Sequence, residues 1–487
     1  MKRATIKSFE PLPPLQEQYA VKYMEKNHVL KLGSRPDGLS IVGVCPPIRK
    51  ELIDEIEDFH RGKVEFVEIE PEDFTIYLGR ALSGTSEYES ANGASSHIEI
   101  DKFADDAPII NLVNSIFIEA IQKKASDIHI EGRQDKVSIR YRIDGVLVSI
   151  MEYDASYFSA ISSRIKIMAD LNIMERRLPQ DGRISVSIAQ VELDMRLSIV
   201  PIAGGESIVL RLFNRKGAIL ELDDLGFSDS VKERITHLYR QPHGLVLFTG
   251  PTGSGKTTSL NAIIRNLDHE SSKIVTIEDP VEYRIEGVNQ IQTNDEIGLT
   301  FHSLLRRVLR QDPNIIMVGE IRDADTAQLA VRAALTGHLV LSSLHTNDAV
   351  SSVQRLINMG VESYLLAAVL RGAVAQRLVR VLCPSCKYEA EPSTAEKSIY
   401  QAHGLSPKTI FRHKGCPECN YTGYSGRTTV AECFVSSAEL EDLIVRNAPN
   451  STLTNCLKKE GVHSLMRDGL EKTVLGITDL AEIERAI

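Results

Sequence analysis

Residues 250–258 read GPTGSGKTT, directly after the apolar run LVLFT at 245–249. Gly250, Gly255, Lys256 and Thr257 fit the spacing G-x-x-x-x-G-K-[ST]. Glycines so placed let a backbone turn until its N–H groups face phosphate oxygens, and a helix starting at Lys256 adds its positive N-terminal end. In that arrangement Lys256 reaches the β- and γ-phosphates and the Thr257 hydroxyl ligates Mg²⁺. The expected nucleotide-binding segment is therefore Gly250, Pro251, Thr252, Gly253, Ser254, Gly255, Lys256, Thr257 and Thr258.

Cleaving a phosphoanhydride takes more than a cradle. It needs a carboxylate for the metal or the attacking water, and positive charge for the transition state. TIEDPVEY sets Glu278, Asp279 and Glu282 at the end of one apolar run, and IIMVGEIRD sets Glu320 at the end of another. TGHLVLSSLHT brackets a third run with His338 and His345. In a parallel sheet, ligands gather at the carboxyl ends of the strands. Glu278 and Glu320 are thus expected to converge on the γ-phosphate, with His345 a weaker candidate beside them.

A second chemistry lies further on. Cys383 and Cys386 form one C-x-x-C pair and Cys416 and Cys419 another, with 29 residues between them. Four thiolates at this spacing suit tetrahedral Zn²⁺. Cys45, Cys433 and Cys456 show no such pattern and are expected to be structural. Arg196 in DMRLSIV and Arg211 in SIVLRLF each lie opposite an apolar strand face. On pattern alone they read either as solvated charges or as cations aimed at a phosphate held elsewhere.

The elements that must position these residues are legible as alternating apolar strands and helices. Strands are expected at 245–249, 273–277, 314–318 and 338–343. A helix is expected within FHSLLRRVLRQ, where Phe301, Leu304, Leu305, Val308 and Leu309 form an apolar stripe. That alternation implies a parallel sheet covered on both faces, an α/β fold. Upstream, Pro108 opens an amphipathic helix carrying Ile109, Leu112, Val113, Ile116, Phe117, Ala120 and Ile121, followed by strands with turn signals. The expected organisation is an adaptor domain at 1–82, a Ser/Gly-rich linker at 83–107 and an α+β domain at 108–222. An ATPase core follows at 223–381, then a tetracysteine insertion at 382–425 and a helical C-terminal region at 426–487.

Composition bounds the partners. The 487 residues carry 56 Lys and Arg against 66 Asp and Glu, a formal net charge of −10. That balance disfavours a motor tracking on nucleic acid, which needs a basic path. No run of apolar residues is long enough for a membrane span, and the start MKRATIKSFEPLPP lacks an apolar signal core. A cytoplasmic chain that meets a membrane only through partners is expected.

GPTGSGKTT, TIEDPVEY, LLRRVLRQDPNIIMVGEIRD and LTGHLVLSSLHTNDAV, in this order, resemble the Walker A, Asp box, Walker B and His box of the type II secretion and type IV pilus ATPases. The resemblance covers residues 104–487 and implies a RecA-like core, preceded by a PAS-like domain and assembled as a hexameric ring. Such a ring drives an inner-membrane platform with ATP. It also implies that Glu278 activates water, that Glu320 partners Mg²⁺, and that Arg196 and Arg211 reach the nucleotide. The four cysteines resemble the zinc-binding insertion of the secretion and pilus-assembly branch, and the short N-terminal region, starting SFEPLPP, looks more like a secretion ATPase. Type IV pilus assembly and a DNA-uptake motor on the same core are the alternatives. Asn314, before the Walker B strand, stands where the family often has Asp.

Overall fold

The computed structural model describes residues 2–9, 12–13, 18–19, 23–24, 27–35, 38–61, 63–84, 107–188, 191–213 and 220–487. Residues 85–106, nearly all of the expected linker, lie outside them. The chain divides into two compact units, residues 1–217 and 218–487.

The first unit holds two sheets. The smaller has strands β1 (Lys2–Arg3), β2 (Val29–Ser34), β3 (Ser40–Val44) and β4 (Val64–Glu68) in the order β1-β4-β3-β2, with helices Lys50–Phe59 and Pro71–Gly84. Leu30, Leu32, Val67 and Phe74 form one core, and Val29, Val42, Val44 and Ile56 form another. The alternation along β2 and β3 thus feeds two cores.

The larger sheet is antiparallel. Its strands are β5 (Ala125–Gly132), β6 (Lys136–Ile143), β7 (Val146–Asp154), β8 (Gln180–Ile188), β9 (Val191–Ile202) and β10 (Gly205–Phe213), in the order β7-β6-β5-β10-β9-β8. The helix expected at Pro108 spans Ala107–Gln122 and buries Leu112, Val113, Ile116 and Phe117 against the sheet's Ile128, Ile130, Met195 and Leu197. Tyr141 seals this contact by donating its hydroxyl to Ile116 O at 2.7 Å.

The second unit is built on a seven-stranded sheet. β11 (Gly244–Thr249), β12 (Ile274–Glu278), β14 (Ile315–Val318) and β15 (Leu339–Leu344) lie where the apolar runs place them. β13 (Asn289–Gln292), β16 (Leu370–Leu382) and β19 (Tyr424–Val435) complete the order β13-β12-β14-β15-β11-β16-β19. All neighbouring pairs are parallel except β16 with β19. Both faces of the sheet are covered, which is why β11, β12, β14 and β15 are buried along their whole length. The helix Phe301–Val308 presents the expected stripe, with Phe301, Leu304, Leu305 and Val308 buried.

One expectation changes. Residues 426–487 do not begin as a helical region: Tyr424–Val435 is a strand of the central sheet, and the helices start at Ala438. The run TTVAECFV is an edge strand paired only with β16, buried at most positions although Thr428, Thr429 and Glu432 interrupt its apolar residues, so neither a strand nor a helix period stands out. Between β16 and β19 sit the small hairpin of β17 (Tyr388–Ala390) and β18 (Ile410–Arg412) and the helix Thr394–Ala402. No helix among the described residues is long and apolar enough to cross a membrane.

The C-terminal helix Leu480–Ala486 is pinned to β16 by a buried ion pair. Arg380 donates to Glu482 through Nε at 3.0 Å and Nη2 at 2.7 Å, and Glu482 Oε1 also accepts the Arg380 backbone N–H. Burial pushes the Glu482 carboxyl up, but hydrogen bonds from Arg485 and Arg380 outweigh it and hold the group at about 2. That stabilisation is present above the ordinary carboxylate range and is lost as pH falls toward about 2. Glu482→Ala leaves Arg380 without its partner and should lower unfolding free energy by about 3–5 kcal/mol, read by chemical denaturation.

Candidate active site

β11 ends at Thr249, the chain turns through residues 250–255, and the helix Lys256–Arg265 begins. The turn is tight. A Cβ at Gly250 would lie 2.6 Å from Gln376 O and from Ser254 Oγ, with φ at +148°, so only glycine fits. Gln376, on the neighbouring β16, braces the loop by donating Nε2 to Ser254 O at 2.7 Å. Nothing in the local sequence announces this contact, which spans 122 residues.

Lys256 is buried, and its Nζ donates to Gly250 O at 2.8 Å and Pro251 O at 3.0 Å. Burial pulls its ammonium down to about 8; Glu320 opposes this and Arg377 adds to it. The loop's own carbonyls therefore hold the lysine where a phosphate can replace them. Pro251, Thr252, Gly253 and Thr257 are exposed, Gly255 and Thr258 half-buried, and Ser254 buried.

The acidic residues come from the carboxyl ends of the neighbouring strands. Glu278 is the last residue of β12 and is 2% exposed. Its Oε1 accepts from Thr276 Oγ1 at 2.6 Å and Gln290 Nε2 at 2.9 Å, while Oε2 is buried with no hydrogen-bond partner. Gly319 N donates to Ile277 O at 2.8 Å, which ties the approach to Glu320 against the end of β12. Glu320 Oε2 meets His345 Nε2 at 3.1 Å, and Glu320 also pairs with Arg322. Arg322 in turn reaches Asp279 Oδ2 at 3.3 Å. Glu278, Glu320 and His345 thus share the strand ends that carry the glycine loop. His338 does not: it immediately precedes β15, at the opposite end, and contacts Ala333 O.

Arg196 and Arg211 lie in the first unit. They face each other directly across β9 and β10, and Arg183 on β8 faces Arg196 in turn. Like charges opposed across a sheet destabilise it by a few tenths of a kcal/mol or more, so such a row has a use or a counter-charge. Asp127 supplies part of the counter-charge, accepting from Arg211 Nε at 3.1 Å and lying 3.5 Å from Arg142 Nε. Alternation alone puts Arg196 and Arg211 on polar strand faces, whereas the place of Arg183 in the row is set by strand pairing.

The four cysteines form a cage. Sγ–Sγ distances are 3.8 Å for Cys383–Cys416, 3.9 Å for Cys386–Cys419 and 3.7 Å for Cys416–Cys419. Four sulfurs bound at about 2.3 Å to one tetrahedral ion would sit about 3.8 Å apart. Backbone N–H groups of Cys416 and Gly423 point at Cys419 Sγ, and that of Gly415 at Cys386 Sγ, as bonds to thiolate require. These residues could hold a metal ion. Cys45, Cys433 and Cys456 are buried away from any such cluster of four.

A glycine loop between strand and helix, with carboxylates at the adjoining strand ends, defines a P-loop ATPase. The comparisons agree. Residues 102–485 match the family described as Type II/IV secretion system protein. Among curated proteins, type II secretion system protein E of Pseudomonas aeruginosa is 45% identical over 381 residues, covering 78% of this chain and 76% of that protein. The type IV pilus assembly ATPase PilB of Myxococcus xanthus is 39% identical over 497 residues, covering 98% and 87%. In fold, the chain resembles the Legionella pneumophila ATPase DotB, with a TM-score of 0.57 at 22% identity over 77% of this chain and 94% of that one. It also resembles the pilus retraction motor PilT with bound ADP, with a TM-score of 0.52 at 24% identity over 76% and 96%. The chain belongs to the type II/IV secretion system protein family and is one of its ATPases.

Phosphate contact favours the charged form of Lys256 and raises its pKa from about 8. Binding a non-hydrolysable ATP analogue at about pH 8.5 should therefore take up a fraction of a proton, and the uptake should fade toward about pH 7, where the lysine is already charged. Titration calorimetry in two buffers of different ionisation enthalpy reads this directly.

Proposed function

We propose that this chain powers a type II secretion system, hydrolysing ATP as a homo-hexamer at the cytoplasmic face of the inner membrane. The observation that carries the catalytic reading is the buried, unpartnered Oε2 of Glu278 at the strand ends beside the P-loop. A carboxylate so placed can take a proton from water. The water oxygen then bonds to the γ-phosphorus, and the bond from that phosphorus to the β,γ-bridging oxygen breaks. Lys256 offsets charge on the β- and γ-phosphates. Mg²⁺, when bound, supplies further charge neutralisation, with Thr257 and Glu320 as its holders. His345 orients Glu320 through their hydrogen bond. Arg196 and Arg211 read the phosphates during turnover, as planar guanidinium groups are suited to do.

The four cysteines hold structural Zn²⁺, a reading supported by the tetrahedral sulfur spacing. Residues 1–82 dock the ring to membrane-platform proteins, so membrane association is peripheral. No nucleic acid is required. Type IV pilus assembly is the second reading, favoured by one observation: the match to PilB spans 98% of this chain, against 78% to 84% for type II secretion relatives. Binding of the full chain to platform proteins of the two systems, side by side, decides between them.

Lys256→Ala should abolish ATP turnover, while Glu278→Gln should lower it at least about a hundredfold and leave ATP binding within a few-fold. Steady-state hydrolysis and equilibrium binding of the assembled protein measure both. Arg196→Ala and Arg211→Ala should each reduce turnover by about a thousandfold with little loss of ATP affinity.

Protein purified under reducing, chelator-free conditions should carry about one zinc per chain. Cys416→Ser should lose the metal and expose residues 382–425 to protease, with nucleotide binding retained. Elemental analysis and limited proteolysis test this.

A further inference from the structure

We infer that Gln290 is a positioning residue for ATP hydrolysis: it pins one oxygen of Glu278 so that the other faces the attacking water. The inference rests on the role assigned to Glu278 above. β12 and β13 are parallel neighbours, and their register sets Thr276 opposite Gln290 and Glu278 opposite Gln292. Thr276 and Glu278, two residues apart, share a face of β12. Thr276 Oγ1 and Gln290 Nε2 both donate to the same oxygen, Oε1, at 2.6 and 2.9 Å. The second oxygen, Oε2, is buried and receives nothing from the protein. One oxygen of the carboxylate is held by two donors and the other by none.

The orientation of the Gln290 amide follows from its other bonds. Its Oε1 accepts the backbone N–H of Ile285 at 2.7 Å, and its Nε2 also donates to Tyr283 O at 2.9 Å. Turning the amide over would set its oxygen against a carboxylate and a carbonyl, and its NH₂ against an N–H. The donor must therefore face Glu278. The loop that leaves β12 is tied back to the edge strand by this amide and by Gln292, whose Oε1 accepts from Val281 N at 3.3 Å. Gln292 also ties the loop to the edge strand but makes no side-chain hydrogen bond to the Glu278 carboxylate, which makes it the natural control.

A carboxylate free to rotate presents the wrong oxygen, or none, for part of the time. Misplacement of a catalytic group by about 1 Å costs on the order of a hundredfold in rate, and loss of a partner that orients a functional group costs about 10–100-fold. Gln290→Leu should therefore lower kcat about 10–100-fold while KM for ATP and nucleotide affinity change less than about threefold. Thr276→Val, which removes the other donor at nearly constant volume, should show the same split with a smaller loss. Gln292→Leu should leave kcat near the wild-type value.

The experiment uses the full chain, with single-turnover rates so that slow variants remain measurable. Glu278→Gln is made alone and together with Gln290→Leu. If Gln290 acts through Glu278, the double variant is no slower than Glu278→Gln alone. Independent, additive losses in the double variant overturn the inference, as does a Gln290→Leu defect that falls on ATP affinity as much as on kcat. If Gln290→Leu does not fold, a wild-type kcat in Thr276→Val overturns it. Wild-type turnover in Glu278→Gln would instead sink the role of Glu278 itself, so the two failures are told apart.

Discussion

Lys256 is a cation held in a buried loop by two carbonyls of that same loop. The rest of the second unit is arranged so that this can happen. A buried ammonium is costly without partners, and the depression of its pKa to about 8 records the cost. The loop keeps its shape because β11 fixes one end, the helix Lys256–Arg265 fixes the other, and Gln376 on β16 holds the middle. Gly250 is then forced, because Gln376 O occupies the space a side chain would need.

β16 carries this constraint outward. It braces the P-loop at Gln376, takes the ion pair from Glu482 at Arg380 and ends one residue before Cys383. From Gln376 to Cys383 an extended strand covers about 23 Å at roughly 3.3 Å per residue. The cage end is anchored too: Tyr424 donates its hydroxyl to Asp479, and the Arg380 guanidinium stacks over the Tyr424 ring at 3.9 Å. One strand thus joins the nucleotide loop, the C-terminal helix and the cysteine cage. The cage need not touch nucleotide to fix the geometry of its surroundings.

The parts of this arrangement that were legible in the sequence are those whose physics is local. Glycine spacing at 250–255, apolar runs ending in Glu278 and Glu320, and two C-x-x-C pairs each act within a few residues. Gln376 and Gln290 were not legible, because their work is done across strand neighbours that no local pattern reveals. Gln290 sits on a four-residue edge strand, NQIQ, too short and too polar to read as a strand. Tyr424–Val435 was not legible either, because Thr428, Thr429 and Glu432 break its apolar residues into a pattern with no clear period. The arginines show both cases: alternation found the polar faces of β9 and β10, while the row from Arg183 to Arg211 exists only through register.

The central claim is that the nucleotide-free site is preset: phosphates displace the two carbonyls from Lys256, and water occupies the open side of Glu278. A crystal structure of the full chain with a non-hydrolysable ATP analogue and Mg²⁺ tests it most directly. The account predicts Lys256 Nζ on the β- and γ-phosphates, Glu278 Oε1 still held by Thr276 and Gln290, and Oε2 on a water in line with the γ-phosphorus. Lys256 still bound to Gly250 O and Pro251 O beside an ordered triphosphate, or Glu278 Oε2 with no water, would contradict it.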